Sequence, residues 1–125
     1  MRILVVDDND DLLLSMNAVL EDAGYQAITA NDAREAIELQ RSAPADVVIT
    51  DIFMPNQDGL ETIVKFRREW PAVKIVAMSG GGDLAKQDYL DVARHAGADA
   101  MLRKPFDPDD LLTAVERLTR SSPKS

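Results

Sequence analysis

A chain of 125 residues that is 46% apolar, 29% charged and poor in aromatics has the composition of one soluble α/β domain, with no room for a second. The absence of cysteine excludes disulfides, thiolate metal sites and thiol nucleophiles. A formal charge of -8 argues against nucleic acid as a direct ligand, because that affinity comes mainly from cations set against phosphates.

The first apolar run, Ile3 to Val6, is too short for a signal-peptide core or a membrane span, and it leads into acids, so a cytoplasmic protein without membrane contact is expected. Met1 directly before this run suggests a natural start. Arg2 to Val6 reads as the first strand. A helix comes next from Asn9 or Asp10, with Leu12, Leu13, Met16, Val19, Leu20 and Ala23 at helical spacing and Gly24 closing it. Gln26 to Ala30 reads as a second strand. Asn31 or Asp32 caps the second helix, Glu35 stands where a capping box places it, and Pro44 breaks that helix.

Val47 to Asp51 is the third strand, stopped by Pro55 and the Asp58-Gly59 turn. Gly59 opens a helix that carries Leu60, Ile63, Val64 and Phe66 and ends at Trp70-Pro71. Lys74 to Met78 is the fourth strand, and Ser79-Gly80-Gly81-Gly82 is expected to be the most flexible stretch. A weaker helix runs from about Asp83 to Ala96, ended by Gly97, and Ala100 to Arg103 is a fifth strand. Asp107 caps the last helix with Pro108 at its first position and Leu111, Leu112, Val115 and Leu118 on its apolar face. Residues 1–119 are read as one domain and 120–125 as a flexible tail.

Five strands alternating with five helices predict a doubly wound parallel sheet, flavodoxin-like, in the order 2-1-3-4-5 with helices on both faces. Such folds bind ligands at the edge where the strands end. The strand ends here are Asp7-Asp8, Asp51, Ser79 and Lys104-Pro105. Three carboxylates, a hydroxyl and an ammonium should therefore meet. Close carboxylates repel by roughly 4 kcal/mol per pair at an effective dielectric near 20. Lys104 neutralises one charge, and Mg²⁺ suits the remainder, a site of few carboxylates, a backbone carbonyl and retained waters. Asp51 is then free to attack phosphorus in line and form an acyl phosphate.

These residues resemble the receiver domain of bacterial two-component response regulators, across nearly the entire chain. The resemblance rests on Asp7 and Asp8 after Val5-Val6, on Asp51-Ile52-Phe53-Met54-Pro55 followed by Asp58-Gly59, on Ser79 after Ala77-Met78, and on Lys104-Pro105-Phe106. It implies a signalling phosphoacceptor whose only reactions are its own phosphorylation and dephosphorylation. Asp51 would take a phosphoryl group from a phosphohistidine on a sensor histidine kinase or a histidine phosphotransfer protein. Asp8, Asp51 and the Phe53 carbonyl would hold Mg²⁺, with Asp7 acting partly through water. Lys104 would contact a phosphoryl oxygen, and Ser79 would move to hydrogen-bond it. The Lys104-Pro105 bond is expected to be cis, and the output to reach an unknown protein target through the face of helix four, strand five and helix five.

The sequence departs from that family at Met101, where an aromatic side chain is frequent. Phe53 and Gly81, each two residues beyond a site residue, line the path of attacking water in family members. Bulk at one and openness at the other pull the acyl-phosphate lifetime in opposite directions.

Other features carry plainer readings. Asp10 and Asp11 suit a helix N-terminus. Asp7, Asn9 and Asp11 imitate the start of an EF-hand loop, which Leu12 at the glycine position and Ala18 at the glutamate position rule out. Lys65, Arg67 and Arg68 read as a solvated helix face. His95 is expected to be exposed, and Met16, Met54, Met78 and Met101 to serve packing. Three alternative functions stand beside the main one. A Mg²⁺-dependent phosphatase with an aspartyl intermediate commonly needs an acid where Phe53 stands. A constitutive interaction module, never phosphorylated, draws on Met101. A flavin or nucleotide domain would need a phosphate cradle in place of the acidic Asp7 to Asp11 loop.

Overall fold

The computed structural model describes residues 1–54, 57–80 and 93–120, of which 53, 54, 57–59, 80 and 120 are described by backbone alone. The chain runs β1 (Arg2–Val6), α1 (Asp10–Asp22), β2 (Gln26–Ala30), α2 (Ala33–Ser42), β3 (Val47–Asp51), α3 (Gly59–Glu69), β4 (Lys74–Gly80), α4 (residues 93–96 described), β5 (Ala100–Lys104) and α5 (Pro108–Arg120). The five strands form one parallel sheet in the order β2-β1-β3-β4-β5, as the alternation predicts.

Period-two alternation sends successive strand residues to opposite faces, so a central strand buried on both sides is apolar throughout. In β1, Ile3 and Val5 join Leu13, Met16, Leu20, Leu111 and Val115 under α1 and α5. Leu4 and Val6 join Ala36, Ile63, Phe66 and Ala93 under α2, α3 and α4. All but Leu13 are essentially without exposure, and each of the larger side chains contributes roughly 1.5–3 kcal/mol. Val5→Asp would place a charge in the first of these clusters and break both α1 and α5 from the sheet.

Local signals start and stop the helices much as their residues dictate. Asn9 Oδ1 accepts the Leu12 N–H at 3.1 Å, and Asp32 Oδ1 accepts the Glu35 N–H at 2.8 Å. At α5 the caps are reciprocal: Asp107 Oδ1 accepts from the Asp110 N–H at 3.0 Å, and Asp110 Oδ2 from the Asp107 N–H at 3.2 Å. Gly24 and Gly97 close α1 and α4 with φ of 99° and 130°, a left-handed conformation only glycine adopts without strain. In both, the next residue reaches back a full turn, Tyr25 N–H to the Leu20 carbonyl and Ala98 N–H to the Ala93 carbonyl.

Three boundaries differ from expectation. β4 continues through Ser79 and Gly80, because β5 pairs with it that far, Ser79 opposite Arg103 and Gly80 opposite Lys104. Ladder hydrogen bonds there outweigh the local preference of Ser-Gly for a turn, while Gly81 and Gly82 lie outside the described residues. β5 likewise gains Lys104. α5 extends through Arg120, and 121–125, most of the expected tail, lie outside the described residues. Of the helix expected from Asp83, residues 83–92 also lie outside them. No helix among the described residues is long and apolar enough to cross a membrane.

Candidate phosphoacceptor site

The parallel ladder sets the site by register. Val6 pairs with Thr50 and Asp51 with Met78, so the residues that end β1 and β3 stand beside the C-terminal end of β4. Asp7, one residue past β1, is held there by its N–H on the Ala30 carbonyl at 3.1 Å. Asp7 is fully buried, Asp51 is 5% exposed and Ser79 is fully buried. Lys104, the last residue of β5, is half-buried and spans the gap: its Nζ donates to Asp7 Oδ2 at 2.6 Å and to Asp51 Oδ2 at 3.2 Å.

Among the described residues the charges do not balance. One ammonium serves two buried carboxylates, and Asp8 adds a third acid, exposed, whose oxygen lies within 4.8 Å of an oxygen of each. Burial pulls the Lys104 ammonium down, but the hydrogen bond to Asp7, the charges of Asp51 and Asp7 and the hydrogen bond to Asp51 together outweigh it, so its pKa lies above the ordinary 10.5. Asp7 is fixed from both sides, since its Oδ1 accepts the Asn9 N–H at 2.9 Å. Ser79 Oγ is buried with no hydrogen-bond partner among the described residues. An orphaned hydroxyl costs about 1–3 kcal/mol. Ser79 stands on β4 one residue past Met78, the ladder partner of Asp51.

The donors of this rim are all oxygen, and three carboxylate oxygens converge, which fits a hard divalent cation. The backbone just past β3 is held at two points. The Ile52 N–H donates to the Met78 carbonyl at 3.0 Å, and Phe53 and Met54 form a short antiparallel ladder with Asp58 and Gln57. The Lys104-Pro105 peptide is cis, as expected.

The model of the response regulator receiver domain family matches residues 3–116. The chain belongs to this family. It is 30% identical over 97% of its length to the alkaline phosphatase synthesis transcriptional regulatory protein PhoP of Bacillus subtilis, of which it covers 49%. It is 28% identical over 93% of its length to sporulation initiation phosphotransferase F of the same organism, covering 91% of that protein. The crystal structure of the receiver domain of NtrX from Brucella abortus superimposes with a TM-score of 0.89 at 30% identity, covering 96% of this chain and 99% of that one. The chain spans about half the length of the curated regulators it matches first.

The fold of this receiver brings together Asp7, Asp8, Asp51 and Lys104, with Ser79 at the end of the neighbouring strand. Gly81 lies outside the described residues. Met101 is half-buried against the core beneath α2, α3 and α4, so it packs as a hydrophobe. His95 is exposed.

One expectation fails. Arg67 is no solvated cation: its Nη1 donates to the Pro71 and Val73 carbonyls at 2.8 Å each, its Nη2 to the Gly97 carbonyl at 2.9 Å and to Asp99 Oδ2 at 2.6 Å. The end of α3 turns this one residue inward while Lys65 stays outside, paired to Glu69 at 3.7 Å. Nothing in a Lys-Phe-Arg-Arg run marks which cation faces in. A glycine before an Asp-x-apolar strand start is the one available signal.

Proposed function

We propose that residues 1–119 form a phosphoacceptor receiver in which Asp51 takes a phosphoryl group from the phosphohistidine of a sensor histidine kinase or histidine phosphotransfer protein. The observation that carries this reading is the Lys104 ammonium bridging Asp7 and Asp51, residues 97 and 53 positions away in the chain. Mg²⁺ is the cation that suits the cluster, because three carboxylate oxygens gather within 4.8 Å of one another and such an ion takes oxygen ligands, few of them carboxylates, and keeps several waters. Asp8, Asp51 and the Phe53 carbonyl would hold it, with Asp7 reaching it through water because both Asp7 oxygens are engaged. Bound there, Mg²⁺ would supply positive charge to offset the carboxylates and the oxygens of an incoming phosphoryl group.

The residues then divide the work. An Asp51 carboxylate oxygen attacks phosphorus in line; the P–N bond to the donor imidazole breaks and its electron pair stays on nitrogen. Lys104 holds a phosphoryl oxygen, exchanging part of its contact with Asp51 as that carboxylate becomes an acyl phosphate. Ser79, whose hydroxyl has no hydrogen-bond partner among the described residues, supplies it as a donor to another oxygen. The altered β4 end then changes the face of α4, β5 and α5 that a protein target reads. Hydrolysis of the acyl phosphate by water resets the switch.

Incubation with Mg²⁺ and a small acyl phosphate, followed by intact-mass measurement, tests this reading. One phosphoryl group should be added to the wild type and none to Asp51→Asn. An unlabelled wild type, under conditions that label a control receiver, would overturn it.

A further inference from the structure

An open sheet has two edges, and each offers unpaired backbone groups to any extended chain that can reach them. At one edge, β5 carries Arg103 and Lys104. At the other, β2 is Gln26-Ala27-Ile28-Thr29-Ala30, with neither a charge nor a proline to discourage pairing. The Gln26 N–H donates to the Met1 carbonyl at 3.0 Å and the Ala30 carbonyl accepts the Asp7 N–H at 3.1 Å, so alternation turns the N–H and C=O of Ala27 and Thr29 outward. Acids cover this edge on either side of Thr29. Glu21 Oε2 accepts the Ala27 N–H at 3.2 Å, and Glu35 Oε1 accepts the Asn31 N–H at 3.0 Å. Between them, the Thr29 N–H has no hydrogen-bond partner among the described residues. A concavity of about 280 Å³ lies beside it, lined by Thr29 and by Asp10, Leu13, Leu14 and Asn17 of α1. Leu14 is 69% exposed, and Asn17 Oδ1 is buried with no hydrogen-bond partner among the described residues.

An edge covered at both ends and open in the middle, next to an apolar hollow, suits strand addition, in which main-chain hydrogen bonds give affinity and a pocket takes an alternate side chain. Charge selects the occupant. α1 carries Asp10, Asp11, Glu21 and Asp22 and neither lysine nor arginine. Among the described residues, no cation lies within ion-pair distance of Glu21 or Glu35. A second copy of the chain would bring the same acids to this edge and be repelled, whereas lysines or arginines flanking an apolar stretch would be attracted. We propose that the outer edge of β2 binds an extended, basic-flanked apolar segment of a protein partner as a sixth strand. Paired antiparallel with one residue of that segment, Thr29 donates its N–H and accepts one in return, and the Ala27 carbonyl takes a third hydrogen bond while Glu21 stays in place. The side chain of that residue shares the face of Thr29, the side on which the hollow lies. The inference goes beyond the phosphoacceptor reading and does not rest on it.

The test uses a fluorescent peptide of roughly nine residues, a strand's length with flanks, in which valine and threonine alternate between paired lysines. A counterpart with glutamate for lysine, and one N-methylated at the residues that face the edge, are the comparisons. Each is titrated by anisotropy into the whole chain, and amide hydrogen exchange is followed by NMR in the same samples. In the free chain the Thr29 amide should exchange about tenfold or more faster than those of Ile28 and Ala30, which point into the β1 ladder. Saturation with the lysine peptide should slow Thr29 by about tenfold and leave Ile28 unchanged. N-methylation, which removes the donors, should weaken binding by about tenfold, and the glutamate peptide should also bind more weakly than the lysine one. Thr29→Pro deletes the outward N–H at a position where an edge strand accepts proline, and Leu14→Lys alters the hollow at an exposed position; each should weaken the lysine peptide by about fivefold or more. No binding, equal binding by the N-methylated peptide, or unchanged Thr29 exchange in the saturated complex would overturn the inference. Protection of Thr29 that rises with the concentration of the chain alone would assign the edge to a second copy and overturn it as well.

Discussion

Two charged arrangements hold this fold at opposite ends of its strands, and they are built on opposite principles. At the strand starts, Arg67 meets Asp99 one to one, and its remaining donors go to backbone carbonyls of Pro71, Val73 and Gly97. At the strand ends, Lys104 is shared by two buried carboxylates, a third stands beside them, and the Ser79 hydroxyl has no partner among the described residues. The first arrangement is complete without a ligand. Among the described residues, the second is left short of positive charge and of a partner for the hydroxyl. The first network is balanced by itself, and the imbalance of the second is what the phosphoacceptor proposal draws on.

Lys104→Met would break the comparison most severely. It removes the cation that bridges two buried carboxylates, so the metal-free protein should lose about 3 kcal/mol in urea denaturation. Mg²⁺ should restore much of that loss, because the ion replaces the missing charge, and phosphoryl incorporation should still fall sharply. If Mg²⁺ leaves the variant as unstable as before, the carboxylates are not its ligands.

Arg67→Met is the matching change at the other end. Three carbonyls lose their donor and the Asp99 carboxylate its charge partner, but both side chains are about a third exposed, which limits the cost to about 2 kcal/mol. Mg²⁺ should not recover it, and intact-mass labelling at Asp51 should stay at the wild-type level. A variant that cannot be labelled although it remains folded would erase the distinction between the two networks.

The two cations also differ in how they respond to base. The Lys104 pKa is raised in the folded protein, so its contribution to stability is fully present below the ordinary 10.5 and is lost as pH rises through the higher folded value. Arg67 stays charged across that range. In metal-free protein, the stability gap between wild type and Lys104→Met should therefore narrow above about pH 10.5, whereas the gap to Arg67→Met should not. A gap to Lys104→Met that widens instead would reverse the sign assigned to this contact.

Ser79→Ala should have the smallest effect on stability, within about 0.5 kcal/mol, because the hydroxyl it removes has no hydrogen-bond partner among the described residues. Its cost should be confined to the phosphorylated state, read as weaker phosphorylation-dependent change at the α4, β5 and α5 face. A resting protein destabilised by 2 kcal/mol or so would mean that Ser79 already has a structural partner.

Much of the site is legible in the sequence because its residues come directly after strands. Asp7, Asp51 and Lys104 stand where an apolar run stops, and parallel strands stop at one edge. Ser79 reads locally as part of a flexible stretch and instead lies inside β4, because its ladder partner Arg103 holds it there, and no local pattern announces a partner 24 residues away. Arg67 escapes a sequence reading for a similar reason. Its helix is amphipathic, but the direction of a long side chain at the helix end is decided by the Gly97 and Asp99 it meets.

Hydrophobic periodicity and chain punctuation determined the elements, their order and the shared edge, since burying both faces of a parallel sheet leaves few ways to connect five strands. Tertiary structure alone decided that one lysine is divided between two aspartates, that Arg67 turns inward where Lys65 does not, and that Glu21 and Glu35 cover the outer edge of β2 on either side of Thr29. Those choices depend on side chains from distant segments competing for the same space and charge, and sequence spacing carries no record of that competition.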